Sequence, residues 1–122
     1  MGARDPDIPT LVTKPLELKV EENSGVACVV ASGELDLATA EELEEALRRQ
    51  ERDEPPMLVL DLREITFMDS TGLRAVIAAD SRARDRGARL VIVRAPEEVD
   101  RVFRLTKMDE HLEMVDEPPS SS

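Results

Sequence analysis

Leu16, Leu18 and Val20 alternate with Glu17, Lys19 and Glu21, the two-residue period of a half-buried strand. Asn23-Ser24-Gly25 is a turn signal. Val26 to Ala31 is a continuous apolar run rich in β-branched residues, as expected of a strand covered on both faces. The two strands then form an antiparallel hairpin. Thr39 opens the pattern T-x-x-E with Glu42, which predicts a capping box in which hydroxyl and carboxylate each take an orphan backbone N–H. Ala40, Leu43, Ala46 and Leu47 follow at helical spacing, and Pro55-Pro56 closes that region. Met57 to Leu60 reads as a buried strand running on to Asp61-Leu62. Strand, helix, strand predicts a parallel crossover.

Ile65 to Met68 comes next, then a helix marked by Leu73, Val76 and Ile77 that runs to Arg86, with Gly87 as its stop. Leu90 to Val93 is another buried strand. Pro96 is expected as a first-turn proline, followed by Val99, Val102 and Phe103 on one face. Leu112, Met114 and Val115 add a last short strand or helix. The order β-β-α-β-α-β-α defines an α/β domain with a mixed sheet over residues 16–116. Prolines 6, 9 and 15 make residues 1–15 an irregular arm, and residues 117–122 a flexible tail.

The chain has 122 residues, enough for one small domain. Its 27 acidic and 16 basic side chains leave a net charge of -11, which argues against nucleic acid or an anionic membrane as the main partner. The charge is uneven. Residues 34–54 hold nine acids and three bases, whereas residues 74–104 hold eight bases and five acids. Most of these charges read as solvated helix faces, and the 13 Arg against 3 Lys carry little weight. Cys28 stands alone, so an internal disulfide and a four-thiolate zinc site are excluded, and it reads as an inert core thiol. There is no Trp or Tyr for stacking on bases. The opening MGARDPDIPT lacks the apolar run of a secretory signal, Pro6 spoils a myristoylation motif at Gly2, and no window approaches a membrane span. A cytoplasmic protein is expected.

Asp69-Ser70-Thr71-Gly72 lies between an apolar stretch and a helix start. Asp, Ser and Thr are all N-cap residues, so one reading is a cap made by Asp69 or Ser70. Three such side chains in a row exceed what one helix end requires. Gly72 then follows in the first turn, where glycine costs roughly 0.5–1 kcal/mol relative to Ala. Glycine there would let another surface approach the backbone. A hydroxyl at a helix N-terminus also tolerates a phosphate, because free N–H groups and the dipole favour an anion. Along the chain this stretch is poor in charge, with Asp69 alone between Met68 and Leu73. Enzymatic chemistry fits poorly. The elbow G-x-S-x-G is missing and His111 is the single candidate base. No phosphate loop or dinucleotide fingerprint occurs.

Gly33-Glu34-Leu35-Asp36 with Thr39-Ala40, then Leu60-Asp61-Leu62, then Phe67-Met68-Asp69-Ser70-Thr71-Gly72-Leu73 resemble, in order and spacing, the anti-sigma factor antagonists of the STAS domain family. Pro96, Val99, Phe103 and Leu105 resemble the family's third helix, although Thr106-Lys107-Met108 stands where many relatives carry a glycine. The resemblance implies a mixed sheet of four to five strands with helices packed mainly on one face. It implies that Ser70 is phosphorylated by a serine kinase that is itself the anti-sigma factor. The unphosphorylated form would bind that kinase and free a sigma factor, and a PP2C-type phosphatase would restore it. The implied partner surface is Asp36, Met68, Asp69, Ser70, Thr71, Gly72, Leu73 and Arg74. Asp36 matches a loop aspartate where partner contact or weak nucleotide binding is inferred. The protein would be no enzyme and hold no cofactor or metal of its own, the kinase using ATP and magnesium. Asp69 is expected to cap the helix and turn the Ser70 hydroxyl outward, with Thr71 pointing into the cap. Two rivals keep the fold without a phospho-switch: a STAS subunit of a lipid-transport or stress-signalling assembly, and a nucleotide-sensing module.

Overall fold

A computed structural model describes residues 15–119. The arm expected over residues 1–15 thus lies outside the described residues save Pro15, as does the tail beyond Pro119. The elements are β1 (Leu16–Asn23), β2 (Val26–Leu35), α1 (Ala40–Glu51), β3 (Met57–Met68), α2 (Ser70–Asp85), β4 (Arg89–Val93), α3 (Glu97–Leu105), a single 3₁₀ turn (Met108–Glu110) and β5 (Glu113–Val115). They form a five-stranded sheet in the order β1-β2-β3-β4-β5. β1 and β2 are antiparallel, and the remaining neighbours are parallel. The hairpin turns through Ser24 and Gly25, both at positive φ (55° and 85°), the geometry of a tight two-residue turn that matches strand twist.

Alternation along the strands sorts the core into two layers. Val29 and Ala31 of β2, Leu58, Leu60 and Leu62 of β3, and Leu90 and Ile92 of β4 pack with Leu43 and Leu47 of α1, Val76 and Ala79 of α2, and Phe103 of α3. This is the main core, and it holds all three helices. Cys28, Val30, Val59, Val91 and Val93 form a smaller cluster on alternate positions of the same strands. Burial is the first cause that pushes the Cys28 thiol up to about 11, with Asp61 and Glu21 adding to it. It stays neutral, in line with an inert core role.

β3 is longer than its hydrophobic period suggests. Val30 pairs with Asp61 and Ser32 with Glu64, then Gly33 with Ile65 and Glu34 with Phe67. Each step gives β3 one extra residue, so Leu62 and Ile65 both reach the main core although three positions apart.

Two local expectations are corrected. Thr39 caps α1 by position, but its hydroxyl makes no cap bond. It donates to the Glu34 carbonyl (2.8 Å) and accepts from the Asp36 N–H (3.0 Å). The capping box therefore does not form, because the loop before the helix has taken the hydroxyl. Pro96 is the residue before α3, at ψ 158°, and not its first helical residue. Lys107 takes a left-handed φ of 62°, the conformation that glycine would adopt without strain. The charged residues are also less idle than expected. Buried Asp61, Asp80 and Asp100 are paired with Arg63 (2.7 Å), Arg84 (2.7 Å) and Arg94 (3.2 Å), and Glu51 of α1 with Arg82 of α2 (2.8 Å). The arginine-rich composition thus supplies forked donors to carboxylates, within β3 and α2 and also between α1 and α2.

Candidate functional site

The strand end of β2, the loop 36–39 and the first turn of α2 meet through Asp69. Its extended backbone lets the side chain fold over the helix start, where Oδ1 accepts from Thr71 N (2.9 Å) and Gly72 N (3.0 Å). Oδ2 accepts from Leu37 N (3.3 Å), and Asp69 N donates to the Leu35 carbonyl (3.2 Å). One carboxylate therefore caps α2 and fastens it to the loop. The loop has its own frame. Asp36 Oδ1 accepts from Ala38 N (3.0 Å), and its carbonyl accepts from Thr39 N and Ala40 N. The short side chain thus mimics a backbone turn.

Ser70 is the first residue of α2 and is exposed. Among the described residues its hydroxyl has no hydrogen-bond partner. The expected capping role thus goes to Asp69, and Ser70 is left facing solvent. Of the first-turn amides expected to be free for an anion, three are not: those of Thr71 and Gly72 go to Asp69 Oδ1, and that of Leu73 goes to the Asp69 carbonyl (3.0 Å).

The eight residues expected at the partner surface separate into two groups. Asp36, Met68, Asp69, Ser70, Thr71 and Arg74 lie at or near the surface. Leu73 does not: it is only 7% exposed and belongs to the main core. Its side chain fills the space beneath α2, so it cannot be offered to a partner. Gly72 is also buried, and the surface that approaches its backbone is the chain's own Leu35. Thr71 does not turn into the cap. Only its amide joins the cap, while the residue lines a groove between α1 and α2.

That groove, about 590 Å³, is lined by Leu37, Ala40, Thr71, Ala75, Ile77 and Ala78, with Glu41, Glu44 and Arg74 among them. The motif that is poor in charge along the chain is thus flanked by charge in space. Leu37 is 78% exposed and Phe67 49%. Both belong to this end of the molecule, and neither was expected as a site residue. Leu37 sits in the four-residue loop 36–39 with no period to mark it, and Phe67 follows the bulges within β3. Among the described residues no group of three His, Cys, Asp or Glu could hold a metal ion. Among the described residues no helix is long and apolar enough to cross a membrane.

Residues 17–118 match the STAS domain family, and the chain belongs to that family. It is 32% identical to the anti-sigma-B factor antagonist of Listeria monocytogenes over 81% of this chain and 86% of the relative. It is 33% identical to the anti-sigma-F factor antagonist RsfB of Mycobacterium tuberculosis over 77% and 76%. Among solved structures, an anti-sigma factor antagonist from Mycobacterium paratuberculosis superposes with a TM-score of 0.76 at 31% identity, covering 84% of this chain and 86% of that one. The antagonist SpoIIAA in its unphosphorylated form shares the fold at a TM-score of 0.65 and 16% identity. The relatives are named as antagonists, which are regulatory binding proteins and not enzymes.

Proposed function

We propose that this chain is an anti-sigma factor antagonist that works as a partner switch. Unphosphorylated, it binds an anti-sigma factor serine kinase through the end of the molecule that carries Asp36, Leu37, Phe67, Thr71 and Arg74, and so releases a sigma factor. The kinase transfers the γ-phosphoryl group of ATP to Ser70. The Oγ–P bond forms, the bond to ADP breaks, and the hydroxyl proton leaves to a base of the kinase. A PP2C-type phosphatase hydrolyses the ester with water and restores the serine. Control of transcription is then indirect, through cytoplasmic protein partners, in keeping with the net charge of -11.

The observation that carries this reading is the unengaged, exposed hydroxyl of Ser70 on a helix start that Asp69 holds rigid. A phosphate adds about -1.5 to -2 charges at neutral pH. A hundredfold loss of affinity needs about 2.7 kcal/mol. Two unit charges 4 Å apart interact by about 4 kcal/mol at an effective dielectric of 20. One close contact therefore suffices, and neither the sheet nor the helices need to move. The test is to incubate the protein with its kinase and ATP, map the phosphosite, and compare variants in a pull-down. Phosphate at Ser70, constitutive binding by Ser70→Ala and weak binding by Ser70→Asp are expected. Phosphate on Thr71 alone, or equal binding by both variants, would overturn the switch.

A further inference from the structure

Modified Ser70 would need a counter-charge, and the helix cap does not supply it. The Thr71 and Gly72 amides are bound to Asp69 Oδ1, the Leu73 amide to the Asp69 carbonyl, and the Leu37 amide to Asp69 Oδ2. Asp69 is itself negative and adjacent, so a phosphate on Ser70 is repelled from the cap.

Arg74 stands four residues on, one turn along the same helix. Side chains at i and i+4 share a face, and each Cα–Cβ bond leans towards the helix N-terminus. A guanidinium at position 74 can therefore reach back towards position 70. It is the single basic side chain in the first two turns, Ser70 to Ile77. Among the described residues it is exposed and has no carboxylate partner, as is true of Arg48, Arg52, Arg101 and Lys107 but not of Arg63, Arg82, Arg84, Arg89, Arg94 and Arg104. It lines the α1–α2 groove with Glu41 and Glu44, forming an ion pair with neither.

We infer that Arg74 is the intramolecular receptor of the Ser70 phosphate: the guanidinium binds the phosphoryl oxygens and lays the pair along α2 at the rim of the groove. This rests on Ser70 as the phosphoacceptor. A planar, forked donor suits phosphate, and a charge-assisted pair is stronger than a neutral one. Modification then does two things at once. It adds negative charge beside Leu37 and Thr71, and it recruits a side chain that lines the groove in the unmodified form. Arg74 is a positioning residue for the phosphate, not a group that transfers it.

The test is independent of any kinase. Phosphoserine is placed at position 70 of the full chain by codon suppression, and its phosphorus resonance is titrated against pH. Glu34, Asp36, Glu41, Glu44 and Asp69, the carboxylates at this end of the molecule, are common to all the samples. The second ionisation of the phosphate is expected to lie about 0.3 unit lower with Arg74 than in the Arg74→Ala variant, the size set by a pair one turn apart. Arg74→Lys should recover part of that shift. The Arg74 Nε–H resonance should move only when the phosphate is present. Equal titration of the Arg74 and Arg74→Ala phosphoproteins would overturn the inference. Phosphosite mapping that finds no phosphate at Ser70 would instead remove the switch and leave this titration as it stands.

Discussion

A Cβ added at Gly72 would lie 2.5 Å from the Leu35 carbonyl oxygen and 2.8 Å from Leu35 Cγ. Neither distance is open to a real side chain, so Gly72→Ala must push the start of α2 off the end of β2. The expected cost is about 1–3 kcal/mol, the range for overpacking a close contact, and a denaturant melt measures it. Ser70→Ala, which removes an exposed and unengaged hydroxyl, should stay within about 0.5 kcal/mol of the parent. The pair separates a residue that builds the site from one that is displayed on it. The motif was legible in the sequence because Asp, Ser and Thr each mark a helix start and Gly72 follows where a helix disfavours it. What the sequence did not show was the division of labour among them. Leu73 was expected at the partner surface because it follows the motif, yet helical geometry turns it inward. Leu37 was not expected at all, since a lone apolar residue in a loop carries no period that reports its exposure.

Among the elements, the segments that follow one rule along their whole length were readable, and those that mix two were not. α2 keeps a single apolar stripe from Leu73 to Ala83 and ends at Asp85, with Gly87 at positive φ just beyond its cap as the stop that was read. β3 changes phase at its bulges, so its twelve residues look like two fragments. The start of α1 shows how tertiary context overrides a local signature. T-x-x-E is present, but Thr39 is only 1% exposed and its hydroxyl is spent on Glu34 and Asp36. Glu42→Ala should therefore change stability by less than about 0.5 kcal/mol, where a working capping box would cost more. Thr39→Val keeps the shape but strips the partner from the Glu34 carbonyl and the Asp36 amide. It should cost about 1–3 kcal/mol. Thermal melts of the two variants decide between the structures of that turn. If Glu42→Ala proved the more damaging, the loop described above would be wrong.

For the molecule as a whole, the uneven charge becomes a set of stitches. Arg89 at the start of β4 hydrogen-bonds Glu113 at the start of β5 and holds its carboxyl below the ordinary 4.5. A depressed carboxylate stabilises the fold above its unfolded-state value and stops doing so as pH falls through the lower folded-state value. Acid should therefore loosen the β5 edge of the sheet below about pH 4.5. Glu113→Gln should melt with a shallower dependence on pH in that window than the parent. An unchanged slope would show that the Arg89 pair does not hold the edge. The helices on one face were implied by the resemblance, and the hairpin, first crossover and mixed sheet by the hydrophobic period and the order of elements it marks. The pairing of individual charges was not legible, because it depends on which ends of the strands come together.

The strand order has a consequence for how the protein is made. Each strand lies beside the one that precedes it in the chain. During synthesis no strand has to hold a place open for one still inside the ribosome. The loop 36–39, β3 and α2 are all in hand once residue 85 has emerged, before β4 and β5 exist. All the residues of the surface that would meet a partner are thus present on the nascent chain before β4 and α3 complete the core beneath them.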